Sequence, residues 1–85
     1  PVVIGELGNG GLKVGKNMLA IRAAQKAATD REEFDETVKF VSTTAFARPK
    51  EESPNVGHGH HWFGNAESYF LIGDALGKAM VDLRR

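Results

Sequence analysis

Three histidines lie within four consecutive positions, at His58, His60 and His61, and they are the only histidines in the chain. The single tryptophan, Trp62, follows directly, and glycines within and beside the group allow sharp backbone bends. Histidine gains or loses a proton near neutral pH, so it serves as a general base, a proton carrier or a metal ligand. The segment 57–65 is therefore the candidate site, the alternative being a solvated polar loop or histidines packed on Trp62.

Two kinds of chemistry fit the histidine cluster. One histidine can act as a general base, or the His-x-His-His run can supply two or three imidazoles to zinc. The aspartate of the better-known His-x-His-x-Asp-His pattern is absent, and adjacent histidines rarely face one ion together. A metal-binding module nevertheless stays open as an alternative at this point.

Composition limits the classes of partner. Eleven basic and eleven acidic residues give zero formal net charge, so no basic surface recruits nucleic acid by charge alone. The apolar runs are far shorter than the roughly 20 residues that cross a bilayer. We therefore expect neither a nucleic-acid nor a membrane partner. The chain begins at once with a strand-like run and without methionine or a signal pattern, which predicts a segment cut from a larger protein.

A strand, a helix and a second strand are predicted before the histidines. Residues 2–7 begin with the β-branched run Val-Val-Ile and are extended by Leu7, a pattern typical of a strand in a parallel sheet with both faces buried. Residues 16–28 are rich in alanine and predict a helix, with Met18 and Ile21 in contact with the sheet. Residues 38–43, Val-Lys-Phe-Val-Ser-Thr, alternate in polarity and include β-branched residues, which predicts the second strand. A strand–helix–strand unit of this length predicts parallel pairing.

The elements around the histidines predict how the cluster is positioned. A polar loop at 45–56, which contains two prolines, carries the cluster to the carboxyl ends of the strands, where open α/β sheets place ligands. Asn65 is predicted to cap a helix at 66–82, whose apolar residues recur every three or four positions. Gly73 and Gly77 are predicted to let this helix approach the sheet closely. The predicted class is α/β, with the order βαβα.

Four segments, in this order, resemble the C-terminal part of the sialate O-acetylesterase-like carbohydrate esterases, a branch of the SGNH hydrolases. They are Val-Val-Ile-Gly-Glu-Leu-Gly (2–8), Ala-Ile-Arg-Ala-Ala-Gln (20–25), Phe-Val-Ser-Thr-Thr-Ala-Phe-Ala-Arg (40–48) and Gly-His-Gly-His-His-Trp-Phe-Gly-Asn-Ala-Glu-Ser-Tyr-Phe-Leu-Ile-Gly (57–73). The similarity covers nearly all 85 residues, and the last segment is the most specific. It implies that residues 1–85 are the C-terminal portion of one flavodoxin-like, three-layer α/β/α domain with a parallel sheet. Such a domain removes acetyl groups from carbohydrate with a serine nucleophile and without a metal or another cofactor.

The resemblance also implies roles for site residues. The family's general base is a histidine in the loop before the final helix, and alignment on Gly64-Asn65 places His61 there. As the base, His61 takes the proton of the serine hydroxyl while that hydroxyl attacks the ester carbonyl. The other residues of the segment implied to shape the substrate pocket are His58, His60, Trp62 and Asn65.

Two features depart from the family's pattern. An aspartate often stands three residues before the histidine and fixes its tautomer, but His58 occupies that position. Glu6, at the end of the first strand, is a candidate orienting acid, although a plain solvated carboxylate fits it equally well; Glu51 and Glu52 are weaker candidates, and a backbone carbonyl is a further one. The Gly-Asp-Ser nucleophile motif is missing, with the glycine and asparagine of its oxyanion hole.

The missing nucleophile predicts that the chain alone is inactive. We expect it to associate with the missing N-terminal half of the domain or with a copy of itself, and to act on an acetylated carbohydrate. A different class of function also stays open, a non-catalytic βαβα module that docks on a partner. An exposed apolar sheet edge and self-association in solution are its expected signs.

Overall fold

The computed structural model describes all 85 residues as two parallel strands and two α-helices in the order βαβα. The elements are β1 (Val2–Gly5), α1 (Lys16–Thr29), β2 (Val38–Val41) and α2 (Ala66–Leu83). Single turns of 3₁₀-helix lie in the connections, and a longer irregular turn precedes α2. The predicted α/β class, element order and parallel pairing are confirmed. Both strands end two residues earlier than predicted, because polar contacts take over from sheet pairing there.

The two strands pair along their whole length, from Val2 opposite Val38 to Gly5 opposite Val41. Because the sheet has only these strands, each of them has one unpaired edge. The molecule measures 41 × 28 × 14 Å along its principal axes, which makes it a thin slab. The expected open sheet edge is therefore present on both sides.

The helices lie on opposite faces of the sheet. Leu76 of α2 lies over Gly5, where a β-carbon would be 3.2 Å from the leucine side chain. Val41 is the register partner of Gly5, and the neighbouring Phe40 points to the other face. On that face the Lys26 ammonium of α1 lies 5.9 Å from the centre of the Phe40 ring.

The buried side of α1 differs from the predicted one. Ile21 is 48% exposed, so the prediction that it contacts the sheet is wrong. The helix instead turns a largely polar side inward, formed by Met18, Arg22, Gln25 and Thr29. The alanines that surround Ile21 give little apolar contrast between the faces of this helix, so its sequence pattern did not identify the inward side.

α2 begins as predicted but places its glycines differently. Asn65 caps the helix by accepting a hydrogen bond of 3.0 Å from the Ser68 amide. Gly73 and Gly77 face solvent, and a β-carbon added at either would meet no atom within 4 Å. The prediction that they bring α2 close to the sheet is therefore wrong; Leu76 makes that contact. Neither α-helix is long and apolar enough to cross a bilayer.

Candidate functional site

Glu6 connects the carboxyl ends of the two strands. Its Oε1 accepts hydrogen bonds from the Ser42 hydroxyl (3.0 Å) and from the amides of Thr43 (2.9 Å) and Thr44 (3.1 Å). The Thr43 hydroxyl in turn donates to the Glu6 carbonyl at 2.8 Å, and Thr43 is 1% exposed. The carboxylate therefore anchors the segment after β2. None of these hydrogen bonds goes to a histidine, and the role of Glu6 as the orienting acid stays a prediction.

Arg22 fixes the loop that follows β1. Its guanidinium donates to the carbonyls of Leu7 (2.6 Å), Asn9 (3.0 Å) and Gly11 (2.6 Å), and the residue is only 5% exposed. A buried guanidinium requires such partners, because an unpaired charge away from water is costly. Three converging carbonyls give this loop one defined shape.

Gln25, one turn along α1, completes the attachment of the loop. Its side-chain oxygen accepts a hydrogen bond from the Leu7 amide (2.8 Å), and its side-chain nitrogen donates one to the Gly5 carbonyl (3.4 Å). At Gly8 a β-carbon would lie 2.1 Å from the Thr43 hydroxyl, so only glycine allows the two loops to meet. The contacts of Arg22 and Gln25 with this loop were not predicted from the sequence. Their signal is a pair of polar residues three apart in a helix otherwise rich in alanine.

The histidines sit on a turn with an unusual backbone, residues 58–64, which we call the histidine turn. Trp62, Phe63 and Gly64 adopt left-handed conformations with φ angles of 56°, 55° and 66°. This conformation costs a residue with a β-carbon roughly 1–2 kcal/mol, so Trp62 and Phe63 are strained. Such strain persists only where neighbouring contacts hold the conformation, and it is commonest at functional sites.

Backbone and side-chain hydrogen bonds hold the histidine turn. The Phe63 amide donates to the His58 carbonyl, and the Phe63 carbonyl accepts from the Asn55 amide, both at 3.0 Å. The Tyr69 hydroxyl of α2 donates to the His61 carbonyl. The backbone of His61 is thereby connected to the first turns of α2.

The histidine side chains, unlike the backbone of the turn, have no hydrogen-bond partners. All three histidines are exposed, and no ring makes a hydrogen bond within the chain. The ring centres of His60 and His61 lie 4.2 Å apart, and those of His58 lie 5.7 and 6.2 Å from them. No group of three or more potential ligands in the chain has a geometry that would hold a metal ion. The arrangement offers proton acceptors open to solvent.

A cleft of about 560 Å³ lies beside the histidine turn, between the loops that follow β1 and β2. Trp62 and Phe63 form one part of its wall, while none of the histidines lines it. Asn65, predicted to belong to the pocket, is 8% exposed and uses its amide to cap α2 and to donate to the Ser53 hydroxyl. Trp62 thus lines the cleft, whereas Asn65 is buried and does not line it.

Protein-family models, curated proteins and solved structures were compared with the chain, and none of them matched it. The function of this site is therefore inferred from its residues and their geometry.

Proposed function

We propose that this chain supplies the general base of a serine esterase that removes O-acetyl groups from an acetylated carbohydrate, and that His61 is that base. One observation carries the proposal. The backbone of His61 is held by the Tyr69 hydroxyl and by the strained turn that follows it, while the His61 ring is exposed and unpaired. A general base needs this combination of a fixed position and a free nitrogen.

The fold proposed for the complete domain is the flavodoxin-like, three-layer α/β/α arrangement of the SGNH hydrolases, with residues 1–85 as its C-terminal portion. Two observations support it. α1 and α2 cover opposite faces of a parallel strand pair, which is the local arrangement of such a domain. The unpaired edges of β1 and β2 provide places for the further strands.

The nucleophile is assigned to a segment outside these residues, because each serine of the chain has a structural role. Ser42 donates to Glu6, Ser53 donates to the Pro49 carbonyl at 2.8 Å, and Ser68 donates to the Phe46 carbonyl at 2.7 Å. None of the three hydroxyls is bonded to a histidine. A Gly-Asp-Ser segment docked at the carboxyl edge of the sheet would bring a serine hydroxyl to His61.

In the proposed reaction His61 transfers one proton in each of two half-reactions. It takes the hydroxyl proton while the serine oxygen bonds to the acetyl carbon, and it passes that proton to the departing sugar oxygen. Water then attacks the acetylated serine, His61 accepts a proton from the water, and the proton returns to the serine as acetate leaves. His58 and His60 contact the sugar in this proposal, and Trp62 forms the wall beside it.

The experiment reconstitutes the two parts. The 85-residue chain is combined, as a fusion or as a second polypeptide, with a segment carrying the Gly-Asp-Ser motif, and acetate release from an acetylated oligosaccharide is measured. We expect release from the combination and from neither part alone. Serine replacement by alanine in the added segment is the matched control. Binding between the parts without acetate release, in either format, would overturn the proposal.

That negative result would favour the non-catalytic docking module instead. Large apolar side chains are exposed on both helices, and such surfaces typically mark contacts with another protein. They are Leu19 and Ile21 on α1, and Phe70 and Val81 on α2. A docking module predicts tight association that survives replacement of His61 and that never yields acetate.

A further inference from the structure

The cleft beside the histidine turn is rich in positive charge. Lys13, from the loop after β1, and Lys50, from the loop after β2, both line it, and neither ammonium forms an ion pair. Arg48 also lines the cleft and is paired with Glu67 on α2. Glu51 is the only acidic residue in the lining. Two cations without an ion pair therefore line one cavity, each from a different loop.

The first loop lines the cleft with residues 10–13, and two of their amides have no partner within the chain. The carbonyls of Asn9 and Gly11 are occupied by Arg22, whereas the amides of Gly10 and Leu12 make no hydrogen bond. The φ angles of Gly10 and Gly11 are 89° and 60°, so a side chain at either position would strain this shape. In this loop two amide donors are free while several carbonyl acceptors are already paired, a balance that favours an anion over a cation as ligand.

The aromatic wall adds a surface for the flat face of a sugar ring. Trp62 and Phe63 both line the cleft, and both are held in left-handed conformations. An aromatic face carries negative charge density and attracts the polarised C–H groups of a saccharide ring. The volume of about 560 Å³ lies within the usual range of small-molecule sites.

We propose that this cleft binds an anionic sugar unit that neighbours the acetylated unit, so that the substrate is an acidic polysaccharide. The carboxylate or sulfate of that unit lies between Lys13 and Lys50, and its ring lies against Trp62. The placement of the acetylated unit at His61 rests on the proposed esterase function. Binding in the cleft does not, because it requires no turnover.

The experiment measures binding to the 85-residue chain through the fluorescence of Trp62, which is the only tryptophan. The probes are unacetylated hexasaccharides of matched length: an oligogalacturonate for carboxylate, a chondroitin sulfate for sulfate, and a xylo-oligosaccharide as the neutral control. We expect one or both acidic probes to bind, with affinity that falls as salt is raised. The neutral probe should bind at least about tenfold more weakly, a difference of about 1.4 kcal/mol.

Two variants with equal loss of charge locate the binding. The double variant Lys13→Gln with Lys50→Gln should lower the binding affinity for the acidic probes by about fivefold for each lysine, as expected for partly exposed ion pairs. Lys16→Gln with Lys78→Gln, which removes two cations outside the cleft, should change the affinity less than about twofold, since separated exposed charges are screened.

Three results would each overturn the inference: no binding of either acidic probe, equal weakening by the two double variants, or equal affinity for the neutral probe. Inorganic sulfate that competes at the same concentration as the oligosaccharides would overturn it as well, because it would show a general anion effect. These outcomes differ from failure of the esterase proposal, which is seen as absent acetate release when the serine segment is supplied.

Discussion

The carboxyl edge of the sheet and the outer faces of the helices are stabilised in opposite ways. At the carboxyl edge, polar side chains are buried and hydrogen-bonded; they are Arg22, Thr43, Asn65 and Ser68. No buried side-chain nitrogen or oxygen in the chain lacks a partner. On the outer helix faces, in contrast, large apolar side chains are exposed, and Ala79 is the only apolar residue classed as buried apart from glycine.

The comparison shows that the order of the loops and the apolar packing of the helices depend on different residues. The polar network is complete within the chain, so the loops that surround the cleft and the histidine turn are defined by their own side chains. The apolar packing is incomplete, because large apolar side chains stay exposed on both helices. The proposed esterase requires that the histidine turn be ordered before the rest of the domain joins this chain. The complete polar network and the exposed apolar helix faces agree with that requirement.

Replacement of His61 tests the ordered region with the largest expected effect. In the reconstituted enzyme, His61→Ala should lower turnover of an acetyl ester by at least about 10³-fold, because serine attack loses its base. The free energy of unfolding of the chain should change by less than about 0.5 kcal/mol, since the exposed ring has no partner. His58→Ala and His60→Ala are the matched controls. Near-normal turnover of His61→Ala, with loss of activity in a control, would reassign the base.

Replacement of Arg22 should remove the order of the carboxyl edge. Arg22→Met keeps much of the side-chain volume but leaves the carbonyls of Leu7, Asn9 and Gly11 without their donor. We expect a loss of about 3 kcal/mol or more in the free energy of unfolding, measured in urea. The control Arg31→Met removes an exposed arginine paired with Glu33 and should change the same quantity by less than about 0.5 kcal/mol. Similar losses in both variants would contradict the described role of Arg22.

Tyr69→Phe tests the connection between α2 and the histidine turn. The variant removes one hydroxyl and leaves the ring, so the lost bond to the His61 carbonyl should lower the free energy of unfolding by about 1 kcal/mol. In the reconstituted enzyme kcat should fall more than KM changes, because the base is displaced while the cleft is kept. An unchanged kcat would show that Tyr69 does not position His61.

Gly73→Ala and Gly77→Ala test the outer face of α2 with the smallest expected effect. Because each new methyl group meets no atom in the chain and alanine favours a helix, each variant should stabilise the isolated chain by about 0.5–1 kcal/mol. If a partner packs closely on this face, the same variants should weaken its association. Destabilisation of the isolated chain would contradict the exposed position of these glycines.

The sequence predicted the elements better than their contacts. The β-branched runs identified both strands, and Asn65 identified the start of α2, because those signals are local and each depends on one residue type. The inward side of α1 was not identified, since the residue with the most hydrogen bonds there, Arg22, contacts carbonyls that lie 11 to 15 positions away in the sequence. Local patterns carry no information on such partners.

The candidate site shows the same limit. The cluster of histidines drew attention to the correct turn, but the left-handed backbone of Trp62 and Phe63 had no signal, because neither residue type favours that conformation. The histidine roles and the orienting group remain predictions. Lys13 and Lys50 are distant in sequence, and both line the cleft because the loops after two parallel strands begin at the same edge of the sheet.

The anchoring of loop amides by Glu6 and Gln25 has a consequence for amide hydrogen exchange. Amides exchange slowly where the bonded structure opens rarely, and in most domains those amides lie in central strands and helices. Here both strands are edge strands, while the Thr43 and Thr44 amides are held by Glu6 and the Leu7 amide is held by Gln25. The most slowly exchanging group outside the helices should therefore lie just beyond the strand ends, in segments that are irregular by backbone geometry.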